Sequence, residues 1–176
     1  MRRSPSIGPR SSQREGLPPD VEELLVKVVA DGFTAYRCGP KHAPYALLAC
    51  YQWDHYVDLL TIADFDRMLT ARVPKRDTLD IFAPTVVVWS YEGPPQPALR
   101  ALLQLVHPAH PAAPHVEYPA PAGLLIPRAR QRPMTIRLPS PGRARVRADR
   151  LATAMKSPWS SRPSAPPAPA GHPIPG

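Results

Sequence analysis

Residues 45–73 read YALLACYQWDHYVDLLTIADFDRMLTARV, and this stretch decides the fold class. Three runs rich in Val, Ile, Leu, Tyr and Thr are separated by the short polar breaks DH and ADFD, the pattern of successive antiparallel strands. A two-residue loop at Asp54-His55 fixes the register of the first hairpin. Tyr51 then faces Asp58, Ala49 faces Leu60 and Leu47 faces Ile62, while Cys50 faces Leu59 on the other side. Both faces come out largely apolar. Asp58 is the exception, since a carboxylate beside Leu60 and Ile62 needs a donor.

Outward from this meander, Phe33 to Arg37 adds a candidate strand before it. Thr85 to Tyr91 (TVVVWSY) is a continuous apolar run, expected for a central strand covered on both faces. Trp53 and Trp89 each close such a run and are expected in the core. A helix is predicted after Pro18-Pro19, capped by Asp20 with Glu23 as its reciprocal partner, and Gly32 is its natural stop. Its stripe is Val21, Leu24, Leu25 and Val28. A second helix is predicted with Pro97 in its first turn and Leu99, Leu102, Leu103 and Val106 at helical spacing, ended by His107-Pro108. The expectation is an α+β domain over residues 19–107: a small antiparallel sheet of four or five strands covered by an N-terminal and a C-terminal amphipathic helix.

Charge and proline are segregated from this span. Residues 1–18 carry four Arg against one acid, residues 19–118 carry eight Lys or Arg against twelve acids, and residues 119–176 carry ten against Asp149 alone. The formal +8 therefore belongs to the flanks, while the foldable part is mildly acidic. Sixteen of the 27 prolines lie from Pro108 onward, so a disordered basic tail is expected at 1–18 and a disordered Pro/Ala/Arg-rich tail at 108–176. Eighteen Arg against four Lys with no Asn is the usage of a GC-rich bacterial genome, which accounts for part of that basicity. Neither a secretory leader nor a membrane span is expected, and the chain reads as cytoplasmic with reduced cysteines.

Candidate chemistry is sparse. Cys38, His42, Cys50 and His55 could together bind zinc, but no tight Cys-x2-4-Cys knuckle is present, and the expectation is no metal and no cofactor. Cys38 with His42 as base and Lys41 nearby could form an activated thiolate. Asp54, His55 and Asp58 could do acid-base work if they converged. His107, His110 and His115 resemble a weak metal tract spread by prolines, and Pro163 and Pro166 have polyproline-ligand spacing. The strongest charge feature is Arg128, Arg130, Arg132, Arg137, Arg143, Arg145, Arg147 and Arg150, a candidate for weak, non-specific anion or nucleic-acid binding; the stretch from Gly142 to Lys156 could also become a short helix suited to an acidic partner or to a membrane surface.

Gly-rich phosphate loops, nucleophile elbows and paired-histidine zinc motifs are all missing from the sequence, so no named enzyme class is supported. The expected function is a non-catalytic binding or regulatory module with a protein partner. The alternatives are a nucleic-acid-associated protein acting through the Arg-rich tail, and a small enzyme using Cys38 with His42 or the Asp54, His55, Asp58 group.

Overall fold

The computed structural model describes residues 17–76 and 79–156. Most of the expected N-terminal tail, residues 157–176, and with them Pro163 and Pro166, lie outside the described residues. The chain forms α1 (Pro19–Ala30), β1 (Thr34–Cys38), β2 (Ala46–Gln52), β3 (Tyr56–Asp64), β4 (Arg67–Pro74), β5 (Val86–Val87), β6 (Trp89–Gly93), α2 (Pro95–Gln104), β7 (Tyr118–Pro119), α3 (Arg128–Gln131), β8 (Pro133–Arg137) and α4 (Val146–Lys156), with short 3-10 turns at Ala122–Leu124 and Arg143–Arg145. Helices and a large antiparallel sheet are mixed in one α+β architecture. Six strands run in the order β6-β4-β3-β2-β1-β8, and β5 and β7 form a separate pair. The sheet therefore exceeds the four or five strands expected, because β8 joins it from the segment read as a tail.

The hairpin register follows from its loop. Leu47 pairs with Ile62, Ala49 with Leu60, Cys50 with Leu59 and Tyr51 with Asp58, and the Trp53 N–H closes the turn on the Tyr56 carbonyl at 2.9 Å. Because side chains alternate along each strand, this register divides the core in two. One face packs Tyr51, Leu60, Ile62 and Met68 against Val21, Leu24 and Val28 of α1, Leu99 and Leu102 of α2, and Leu151 of α4. The other packs Leu48, Cys50, Val57, Leu59, Ala71 and Val73 against Val87, Leu124 and Ile126, with Leu79, Ile81 and Phe82 at its margin. Helices cover only the first face; turns and the small strand pair cover the second.

Three local expectations are corrected. The TVVVWSY run is not a central strand: it divides at Val88, whose N–H bonds the Arg72 carbonyl, so that β5 pairs with β7 while β6 takes the outer edge beside β4. Asp20 does not cap α1, since Pro19 with its fixed φ already suits the first helical position and Pro18 becomes the N-cap. Asp20 instead accepts a bond from Gln96 of α2, and Glu23 pairs with Lys27. The second helix, Pro95–Gln104, has Pro97 in its first turn as expected but ends before Val106.

The largest correction concerns the C-terminal side. Elements continue to Lys156, so residues 118–156 belong to the folded body rather than to a disordered tail beginning at Pro108. Several of the prolines that suggested disorder set element boundaries instead: Pro121 and Pro127 are N-caps of short helical turns, and Pro133 opens β8. Few apolar side chains are needed to anchor the segment, chiefly Leu124, Ile126 and Leu151. Main-chain pairing of β7 with β5 and of β8 with β1, together with one buried charged side chain, supplies the rest.

Candidate functional site

Asp58, in the sheet interior on β3, is fully buried, as are Arg72 opposite it on β4 and Arg147 on α4. Arg72 Nε donates to Asp58 Oδ1 at 2.7 Å and its Nη2 to Oδ2 at 3.0 Å. Trp53 Nε1 donates to the same Oδ2 at 2.9 Å, and Arg147 adds Nε at 3.2 Å and Nη2 at 2.9 Å. Burial alone would push the Asp58 carboxyl up, but the Arg72 guanidinium, then Arg147 and the Trp53 N–H, hold it below the usual carboxylate range. Fully buried and paired with two guanidiniums, this carboxylate is out of reach of a substrate proton and serves as a structural anion.

The network extends to the ends of both core helices. Arg147 Nη1 reaches Asp31 Oδ2 at 3.2 Å and Nη2 reaches the Leu102 carbonyl at 2.9 Å. Arg150 Nε bonds Asp31 Oδ1 at 3.1 Å, and Arg72 Nη1 bonds the Val106 carbonyl at 2.8 Å. Asp31 is the C-cap of α1, and Leu102 lies in the last turn of α2, so the negative ends of two helix dipoles point at these cations. Aromatic faces complete the enclosure: the Arg147 guanidinium carbon lies 5.3 Å from the Phe33 ring centre and 6.0 Å from those of Tyr51 and Trp53. His107 sits edge-on to Trp53 at 4.9 Å, and burial followed by the charge of Arg72 pushes its imidazole pKa down.

The other expected sites are not assembled. His42 precedes β2 and Asp54 and His55 follow it, so the length of that strand, roughly 20 Å at about 3.3 Å per residue, separates His42 from His55. Cys38 and Cys50 are free thiols buried in the second core, both pushed up by burial and so held in the less nucleophilic form. His42, Asp54 and His55 are exposed, whereas Asp58 is sealed inside, so the acid-base trio does not converge. Among the described residues, no group of three or more His, Cys, Asp or Glu is placed to hold a metal ion. The histidine tract folds into local turns, with the His107 and His110 ring nitrogens accepting the N–H groups of Ala109 and Ala112.

The eight arginines divide into two sets. Arg147 is buried in the network, and Arg150, itself exposed, joins it through Asp31. Arg128, Arg130, Arg132, Arg137, Arg143 and Arg145 are exposed, with Arg130 stacked over Tyr45. Arg137 and Arg143, which have no ion-pair partner among the described residues, line a cavity of about 360 Å³ together with Ser140, Val29 and Phe33. Leu138, which also lines it, and Met134 and Ile136 are exposed on and just beyond β8, whose outer edge pairs with no strand among the described residues. Sequence reasoning singled out these arginines by charge but had no means of telling a structural guanidinium from a free one. No helix among the described residues is long and apolar enough to cross a membrane. Comparison with known proteins gives no matching family model, no matching curated protein and no matching solved structure.

Proposed function

We propose that the protein is a non-catalytic binding module whose partner is an extended acidic protein segment, received along β8. The observation that carries this reading is the cavity lined by Arg137, Ser140 and Arg143, neither guanidinium having an ion-pair partner and β8 having no strand on its outer side among the described residues. An unpaired edge offers main-chain donors and acceptors to an added strand, and the exposed Met134, Ile136 and Leu138 offer apolar contacts to alternate side chains. Carboxylates on the intervening positions would meet Arg137 and Arg143 in charge-assisted bonds. The sealed, ion-paired Asp58 and the buried thiols, whose pKa values burial pushes up, support a binding role over a catalytic one.

Fluorescence anisotropy of a labelled octapeptide alternating Val and Glu, titrated with the full chain, tests this reading. Binding should weaken with salt and fall about tenfold in Arg137→Glu or Arg143→Glu, the loss of one charge-assisted bond, while a Val-Lys octapeptide should not bind. Equal binding of both peptides, or indifference to both substitutions, contradicts the reading. Tighter binding of duplex DNA, lost in the same variants, would transfer the surface to nucleic acid.

A further inference from the structure

The enclosure around Arg147 is built for a guanidinium rather than for this particular segment of chain. Nearly every wall belongs to the body before residue 108: Asp58 and Asp31, the Leu102 carbonyl, and the rings of Phe33, Tyr51 and Trp53. Only the occupant comes from α4. The neighbouring cation, Arg150, uses the same Asp31 and the Leu103 carbonyl, so the receptor reads an Arg-x-x-Arg pair on one face of a helix. Planar hydrogen bonding to carboxylates and stacking on aromatic faces are properties of arginine that lysine does not share.

The resident helix is held mainly through polar groups. Leu151 is its one buried apolar side chain, while Val146 and Met155 are exposed. Otherwise it is tied by Arg147 and Arg150, the Arg147 N–H to the Asp31 carbonyl at 3.1 Å, and the Ala148 N–H to the Tyr51 hydroxyl at 3.2 Å. Buried ion pairs recover in attraction little more than they lose in desolvation, so such docking is specific without being strong. Leu138 to Gly142, with Pro139 and Pro141, joins it to β8 as a short tether.

We infer that this socket is an arginine-recognition site in its own right, for which α4 is a tethered ligand displaceable by another amphipathic helix carrying Arg-x-x-Arg. The tether gives α4 a high effective concentration, so an outside helix gains access only when the resident grip is loosened. Charge complementarity selects the class of ligand: two carboxylates and two helix C-termini admit a basic helix and reject an acidic one.

The probe is a labelled peptide of residues 143–156, titrated into full-length wild type and into full-length Arg150→Ala. The substitution removes the bonds of Arg150 to Asp31, leaves those of Arg147 and keeps the socket intact, so the loosened resident helix should let the peptide bind the variant about tenfold more tightly than wild type, the worth of one charged hydrogen bond. The same peptide carrying Arg147→Ala should not bind either chain. Equal binding by both peptides, or no binding of the unsubstituted peptide to the variant, overturns the inference. A second measurement uses full-length Arg147→Ala, whose thermal midpoint should rise saturably with millimolar ethylguanidinium but not with ethylammonium. An identical response to both cations, or the same response in wild type, also overturns it.

Discussion

The β2–β3 hairpin and helix α4 are fixed by opposite chemistry, although they meet at the same carboxylate. The hairpin is held by alternating apolar side chains whose register is set by a two-residue loop, and its partners are close in sequence. Helix α4 is held by Arg147, whose bonds to Asp58 and Asp31 span 89 and 116 residues. Apolar pattern announces burial within the element that carries it. Charge announces nothing, because the same arginine is a solvated side chain or a core residue according to whether a distant carboxylate is waiting.

The difference can be broken at the shared residue. Asp58→Ala leaves Arg72 and Arg147 buried without their counter-charge, and should cost about 3–5 kcal/mol in urea unfolding. A cost below about 1 kcal/mol would mean that the guanidiniums find water instead, and that the network is not closed. Trp53→Phe keeps the ring and removes one donor to the carboxylate; about 1.5–3 kcal/mol is expected from the same measurement. Loss of much more would place Trp53 in the network chiefly by packing.

Acid should undo the charged region first. The folded pKa values of His107 and Asp58 both lie below their unfolded values, so over those intervals the unfolded chain binds more protons and stability rises with pH. The two contributions are therefore present above the unfolded values and lost on acidification, that of His107 below about pH 6.5 and that of Asp58 below about pH 4. Urea midpoints measured between neutral and acidic pH should fall in these two stages. A midpoint that rose on acidification would contradict the depressed values. The smallest effect belongs to an arginine outside the network: Arg145→Ala, fully on the surface, should stay within about 0.5 kcal/mol of wild type.

Much of the first region was legible in the sequence. The DH loop dictated every pair from Leu47–Ile62 to Tyr51–Asp58, and the position of Asp58 among apolar neighbours already required a donor. The identity of that donor was not legible, since neither Arg72 nor Arg147 differs in local context from an exposed arginine. TVVVWSY misled because a continuous apolar run fits a central strand and also, as here, a strand that changes partners halfway. The reading of residues 108–156 as a tail failed because proline frequency was weighed as disorder, whereas Pro121, Pro127 and Pro133 occupy positions where a missing N–H costs nothing. The candidate cleft was legible only as charge. Which arginines line it depends on β8 reaching the edge of β1, a pairing across about a hundred residues that no local periodicity encodes.

Amide hydrogen exchange on the full chain tests most directly the claim that a buried guanidinium, rather than apolar pattern, ties helix α4 to the body. In the wild type the amides of Leu151 to Lys156 should exchange slowly, though faster than those of β3, as expected for a docked helix that opens on its own. In Arg147→Ala those amides should approach unfolded rates while β2 to β4 stay protected. Unprotected α4 amides in the wild type, or α4 protection that survives the loss of Arg147, would contradict the account.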